Sequence, residues 1–247
     1  LFAWKFTTEN QSMMPAIVNT LCMTVLSLLM AAPIGIGAAV YMVEYAHRGN
    51  RLVRLVRLTA ETLSGIPSII YGLFGMMFFN ILLHWGYSML SGCVTLAIMI
   101  LPLILRTTEE ALLSVPDSYR EGSFGLGAGK LRTVFSVILP AAMPGILSGI
   151  ILAIGRIVGE SAALIFTAGT GKENLRFGQT GNFLKDLFAP LFQSTRTLSV
   201  HMYTQMSEGL YMRQAQATAV VLLALVVVVN ALSSFLAKKL SRGNEHG

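Results

Sequence analysis

Charge is scarce in this chain. Asp, Glu, Lys and Arg make up 12% of its 247 residues, where a soluble domain carries about 25%. So little charge cannot solvate a surface of this size, and the 54% hydrophobic content completes the imbalance. Cysteine is nearly absent: Cys22 and Cys93 both lie in apolar runs. They read as buried thiols, not as a disulfide framework or a metal pair. His47, His84, His201 and His246 share no ligand spacing, which argues against a metal centre. The phosphate loop G-x4-G-K-S/T is missing, so this chain has no means of its own to hold a nucleoside triphosphate in a P-loop. No signal peptide is visible. Segment 169–214 contains no Asn-x-Ser/Thr acceptor and gives no sign of glycosylation.

What is present is long apolar sequence. Asn10–Val43, Thr62–Leu105, Ala141–Gly155 and Gln214–Ala237 contain no Asp, Glu, Lys or Arg. A spanning helix needs about 20 mostly apolar residues. The runs accommodate about five spans, at 18–43, 62–83, 89–105, 141–168 and 215–237, with a turn near His84–Ser88. Alternation at period 2 is missing, which disfavours a β-barrel, and lipid-exposed backbone then has to be helical. The expected class is an all-α polytopic membrane protein.

The net charge of +6 is no nucleic-acid signature, because the basic residues cluster in particular connections. Arg48, Arg51, Arg54 and Arg57 fall in 44–61. Arg106, Arg120, Lys130 and Arg132 fall in 106–140, and Lys238, Lys239 and Arg242 in the tail. The positive-inside rule puts these three segments in the cytoplasm. Residues 1–17 and 169–214 then lie outside, 18–240 form the membrane domain and 241–247 the cytoplasmic tail. The outer segment also carries Lys and Arg, but long loops cross largely regardless of charge.

Segment 106–140 is the longest of the cytoplasmic connections. Thr107–Val115 reads as helix, Pro116-Asp117 as a break, and a second short helix starts at Ser118. Gly125, Gly127 and Gly129 interrupt that helix, at about 1 kcal/mol each against Ala. A helix–turn–helix on a membrane face suits a groove on a partner; it also suits an amphipathic loop resting on lipid headgroups.

The spacing within this segment resembles the EAA loop of ABC-importer permeases, E-A-A-x3-G-x9-I-x-L-P. Glu121, Gly127, Val137 and Leu139-Pro140 stand at the same intervals, with Gly122-Ser123 for Ala-Ala and Val137 for Ile. Within the importers the chain looks most like the phosphate-specific permease of the PstA type. Ser64–Gly75 (SGIPSIIYGLFG), Arg106–Leu112 (RTTEEAL) and Arg156–Ala162 (RIVGESA) carry that likeness. The resemblance implies that Glu121, Gly122, Ser123, Gly127, Leu139 and Pro140 belong to a loop coupled to an ATPase. It also implies a homologous permease subunit, two ATP-binding subunits and an extracytoplasmic phosphate-binding protein as partners. ATP and Mg would be held by the ATPase and no cofactor by this chain, which would not itself be an enzyme. The setting would be a bacterial cytoplasmic membrane, with membrane lipid around the chain and no nucleic-acid partner. The family usually has six spans, so a first helix trimmed from a longer precursor is the expectation for a chain that begins at Leu1.

Arg156 and Glu160 are the only formally charged residues inside a predicted span. Charge at that depth is costly unless paired or hydrated. Four apart, the two share a helix face that Gly145, Gly149 and Ala153 continue. Small residues there allow close helix approach, so the face points into the bundle. Two readings stand: an ion pair holding helices in register, or a polar site on a translocation path. In the second, Arg156 attracts an anion, and Glu160 holds Arg156 or limits the grip. Ser64 and Ser68 flank Gly65 and Pro67, which interrupt a helix; this is a proline kink or a cavity-lining break. Pro33, Gly35 and Gly37 read as kink and packing residues. In the outer segment Gly169–Gly181 reads as irregular and Phe183–Phe192 as amphipathic. Val200–Arg213 reads as a helix with Met202, Met206, Leu210 and Tyr203 inward. It would cap the mouth, receive a soluble binding protein, or both. Molybdate or sulfate as cargo, or a scaffold role in phosphate signalling, are the alternatives.

Overall fold

The computed structural model describes residues 12–47, 49–171, 189–209 and 211–243. The readings for residues 1–11, for the glycine-rich stretch from 172, for most of Phe183–Phe192 and for the tail beyond 243 lie outside the described residues. Among the described residues every regular element is helical. Helix α1 (Met14–Val40) widens into a π-helix at Tyr41–Tyr45. Then come α2 (Arg51–Ser64), α3 (Ser68–Gly75, continued as a π-helix over Met76–Leu82) and α4 (Met89–Leu113). Short helices α5 (Asp117–Gly125) and α6 (Lys130–Thr133) follow. Through a π turn at Val134–Ile138, α6 runs into α7 (Leu139–Gly159). The chain ends with α8 (Ala162–Thr167), α9 (Leu198–Glu208) and α10 (Met212–Gly243).

Four rods are long and apolar enough to cross a membrane: Met14–Tyr45, Met89–Leu113, Lys130–Gly159 and Met212–Phe235. A fifth crossing exists if Arg51–Ser64 and Ser68–Leu82, which meet at 102°, count as one broken span. The all-α membrane class therefore holds, while three of the expected spans have different limits.

The stretch 62–83 is not one straight helix. Pro67 has no N–H and bars the α conformation to the residue before it, so α2 ends at Ser64 and α3 starts anew at Ser68. The stretch 89–105 does not stop before its charges. Arg106 and Glu110 pair at 3.2 Å one turn apart and carry α4 on to Leu113. The stretch 141–168 starts earlier and breaks sooner. Pro140 removes the N–H that would bond Ser136, and the widened turn Val134–Ile138 lies directly before it, so the rod continues unbroken from Lys130. It ends at Gly159, and α8 is a separate helix. The turn near His84–Ser88 forms as expected, with His84 and Gly86 at φ 57° and 62°.

Helix α4 is the centre of the bundle. Two thirds (67%) of its most apolar window is buried, against 28% for α1 and 6% for α10. Glycines set the approach distances. A Cβ on Gly149 would stand 2.1 Å from Thr107 Oγ1 and one on Gly145 2.6 Å from Ala111 Cβ, so the small-residue face of α7 packs on α4. Gly35 meets Ile104 of α4, whereas a Cβ on Gly37 would meet nothing within 4 Å among the described residues. Helices α3 and α8 cross at Gly72, where a Cβ would lie 2.7 Å from Ala163 Cα.

Helix α9 turns the other way from expectation. It buries Leu198, Ser199, Val200, His201 and Gln205, while Tyr203 and Met206 are each 52% exposed and Met202 is half-buried. Leu210 lies outside the described residues. The reason is polar: Thr20 Oγ1 accepts from Leu198 N at 2.9 Å, and Thr218 Oγ1 donates to Gln205 Oε1 at 3.0 Å.

The crossing of α3 and α8 yields a stability prediction. Gly72→Ala would push a methyl into backbone that cannot swing away, and overpacking of this kind costs about 1–3 kcal/mol. Thermal unfolding of the purified chain should show a midpoint several degrees lower. Gly37→Ala, with nothing within 4 Å of its Cβ, should leave the midpoint unchanged or raise it.

Candidate functional site

Two regions hold the residues singled out from the sequence. The first is the pair of helix breaks. At Ser64–Ser68 the α2 ladder stops and the Tyr71 hydroxyl donates to Leu63 O at 2.7 Å, tying α3 back across the bend. Ser64 is exposed and donates to Glu61 O at 2.8 Å, and Ser68 is the half-buried first residue of α3. Arg156 sits one turn before the end of α7, half-buried, between Ala153 and Ile157, which share a buried cluster with Tyr71. Among the described residues no carboxylate stands at ion-pair distance from it. Tyr71 thus links the break before α3 to the stretch of α7 that carries Arg156.

Glu160 does not pair with Arg156, contrary to the i, i+4 expectation. The helix ends at Gly159 and Glu160 is extended, at φ −74° and ψ 127°. Its buried carboxylate accepts from Ala163 N at 3.0 Å, satisfying an orphan donor at the start of α8. Its carbonyl accepts from Ser199 Oγ at 2.5 Å, which ties the corner to α9. Sequence spacing missed this because it assumed that the helix continued.

The break after α8 is satisfied in the same way. Asn80 Nδ2 donates to Phe166 O at 3.1 Å and to Thr167 O at 3.2 Å, and Ser91 Oγ donates to Asn80 Oδ1. Nearby, Asn19 Nδ2 donates to Arg196 O at 3.2 Å, and Arg196 Nη1 donates to Thr204 Oγ1 at 3.2 Å. Burial lowers the Arg196 guanidinium to about 10, opposed by the Glu208 carboxylate. Neither Asn80 nor Arg196 was singled out from the sequence; a lone Asn in an apolar run was the available signal.

The second region is 106–140. Helix α5 buries none of its residues, and Glu121 and Gly122 are exposed. Gly127 turns the chain at φ 82°, a conformation that favours glycine. Beside that turn Leu126 is 91% exposed, with Tyr119 and Phe124 exposed on α5. A shallow cavity of about 430 Å³ lies among Tyr119, Gly122, Ser123, Leu126 and Val137. Ser123 is half-buried, sharing a 2.8 Å hydrogen bond with Thr133. Leu139 and Pro140 are half-buried parts of the rod that starts at Lys130, and Leu139 packs against a buried cluster that includes Leu112, Val134 and Ile138. The most exposed part of the motif is therefore α5 and the Gly127 turn, with Leu139 and Pro140 half-buried.

Two ion pairs hold this region to the bundle. Arg57 bonds Glu109 at 2.5 Å, joining α2 to α4. Arg120 bonds Glu44 at 2.7 Å, and its guanidinium also donates to Leu112 O at 3.1 Å, Val115 O at 2.9 Å and Asp117 Oδ1 at 3.2 Å.

Comparison with known proteins agrees with this architecture. The family model described as "binding-protein-dependent transport system inner membrane component" matches residues 31–245. The chain is 36% identical over 222 residues to the probable ABC transporter permease protein YqgI of Bacillus subtilis, covering 88% of this chain and 75% of that protein. It is 31% identical to the phosphate transport system permease protein PstA of Mycobacterium leprae, with 92% and 72% covered. To PstA 1 of Mycobacterium tuberculosis it is 38% identical, spanning 62% of this chain and about half (50%) of that one. Among solved structures, an inward-facing MetNI methionine ABC transporter superposes with a TM-score of 0.70 at 20% identity, over 91% of this chain and 94% of the other. A bacterial ABC transporter that imports alginate gives 0.67 at 16%, over 93% and 80%. At these identities the structural likeness carries the fold.

The corner at Glu160 can be tested by itself. Glu160→Ala removes the acceptor from Ala163 N, and a lost hydrogen bond to a charged group costs about 1.5–3 kcal/mol. Its thermal midpoint should fall, while Glu160→Gln, which keeps an acceptor oxygen, should recover most of the loss. Equal destabilisation by both would show that the charge, and not the cap, matters.

Proposed function

This chain belongs to the family of binding-protein-dependent transport system inner membrane components, and from that premise we propose that it carries inorganic phosphate. It is a multi-pass permease subunit of an ABC importer of the cytoplasmic membrane. In the proposed assembly it pairs with a homologous permease, two ATP-binding subunits and an extracytoplasmic phosphate-binding protein. The observation that carries the cargo reading is Arg156: a half-buried guanidinium with no carboxylate partner among the described residues, beside a broken span. The PstA relatives, whose names specify phosphate, support the same cargo.

A guanidinium at membrane depth is costly unless something answers its charge, and an oxyanion does so while it passes. Arginine's planar fork matches phosphate. Ser68 adds a hydroxyl at the break, while the Tyr71 and Ser64 hydroxyls are donated to Leu63 O and Glu61 O and hold the bend in place. In this reading Glu160 does not neutralise Arg156. It holds the corner after Gly159, and with it the direction in which Arg156 leaves α7. ATP-driven movement of the partner acts on Glu121–Gly127 and travels along the rod Lys130–Gly159. From Lys130 to Arg156 that rod spans about 39 Å at 1.5 Å per residue, so a tilt at one end displaces Arg156 at the other.

The test is uptake of labelled phosphate into proteoliposomes containing all the subunits, with sulfate and molybdate as competitors. Competition by phosphate alone is expected. Competition by sulfate or molybdate at equal concentration would move the cargo to another oxyanion. Arg156→Gln should abolish uptake while the complex still assembles and hydrolyses ATP; unchanged uptake in that variant would remove Arg156 from the path. Leu126→Glu, at a side chain that is 91% exposed, should weaken ATPase association without lowering the chain's own thermal midpoint.

A further inference from the structure

One guanidinium joins three helices at the base of the bundle. Arg120 lies on α5, whose outer surface is free. Its side chain is only 17% exposed, and Glu44, on the π turn that ends α1, is 8% exposed. Nη2 and Nε both reach Glu44 Oε1, at 2.7 and 3.2 Å. Nη1 also donates to Asp117 Oδ1 on α5 itself, and the remaining bonds go to carbonyls at and just beyond the end of α4: Nη2 to Leu112 O and Nη1 to Val115 O. A helix end leaves carbonyls short of partners. The buried cluster beside them includes Val40 of α1, Leu112 of α4 and Val134 and Ile138 before α7.

A buried ion pair of this kind is weak evidence of stability, because desolvation offsets much of the attraction. Its value lies in geometry. Charge-assisted forked bonds are directional, and Arg120 makes them to α1 and α4 simultaneously. Helix α5 therefore cannot slide along the base without carrying the end of α1 and the end of α4 with it. Ser123 ties the same helix to Thr133 at the foot of the α7 rod. Any push on α5 is thereby shared with α4, the most buried helix of the bundle.

We propose that Arg120 and Glu44 are positioning residues for energy coupling: they lock α5 to the ends of α1 and α4, so that ATP-driven movement reaches the central helix instead of dissipating in the loop. The inference rests on the reading of Glu121–Gly127 as the segment that faces the ATPase. It does not depend on which anion is carried.

The experiment uses the complete complex in proteoliposomes, wild type and with Glu44→Gln, Arg120→Lys or the reciprocal swap Glu44→Arg with Arg120→Glu. Two readouts are taken: phosphate imported per ATP hydrolysed, and the distance between spin labels at Tyr41 and Ser118 in an otherwise cysteine-free chain. Both label sites are exposed, and Ser118 lies on α5 outside the Glu121–Gly127 segment. In the wild type the distance should be the same without nucleotide and with ATP trapped by vanadate. In Glu44→Gln it should change between the two states, and uptake per ATP should drop about tenfold, within the usual range for a coupling between sites. Arg120→Lys should behave like Glu44→Gln, since an ammonium cannot make the fork. The swap should recover little of the ratio, because a carboxylate at position 120 has no proton to donate to the Leu112 and Val115 carbonyls. A purely structural pair would instead lower assembly and leave uptake per ATP in the remaining complexes unchanged; that result overturns the proposal. A nucleotide-dependent distance in the wild type overturns it too. If Glu44→Gln fails to assemble, Arg120→Lys decides, and its failure to assemble as well assigns the pair to folding. A wild type that imports no phosphate but keeps the label distance constant removes the cargo reading and leaves this one standing.

Discussion

Backbone groups inside a hydrocarbon layer have no water to bond, and most of this structure follows from that constraint. An unbroken α-helix meets the requirement by itself. A broken one does not, and each break here has a side chain assigned to it. The Tyr71 hydroxyl takes Leu63 O at the end of α2, and the Glu160 carboxylate takes Ala163 N at the start of α8. Asn80 takes the carbonyls of Phe166 and Thr167 at the end of α8. Polar residues that look misplaced in apolar runs are thus what allows the helices to stop.

Breaks cost these partners, and what they provide is position. Without the break at Gly65–Pro67, α3 would continue the line of α2 and could not cross α8 at Gly72. Without the stop at Gly159, Glu160 would lie on the Arg156 face and neutralise it. The interrupted helices therefore leave Arg156 with no carboxylate at ion-pair distance among the described residues, the feature on which the proposed anion path rests. Close approach through Gly145 and Gly149 then sets the distance of this rod from α4.

At the opposite end of the rod the logic changes from hydrogen bonds to charge. Helix α5 packs none of its side chains into the core, so apolar burial does not hold it. Arg120 does so through Glu44 and the carbonyls at the end of α4. A partner-facing helix needs an exposed outer surface and a firm attachment, and ion pairing at its inner edge supplies the attachment without using the surface.

Much of this was legible in the residues. Charge-free runs announced helical spans, because lipid excludes charge, and the position of Pro67 announced a break, because proline has no N–H to give. The interval from Glu121 through Gly127 to Pro140 set this segment apart from the spans, and Gly127 occupies a conformation that favours glycine. The extent of α4 and the face of α9 were not legible, since local apolarity reports neither Arg106–Glu110 pairing nor a buried face made of Ser, His and Gln. The role of Glu160 depended on where a helix stops, and a four-residue spacing has meaning only within one helix. What the sequence alone determined is the class of the protein and the places where its helices have to bend. Which acid meets which base was decided only by the tertiary structure, because Glu44 and Arg120 lie 76 residues apart and no local rule brings them together.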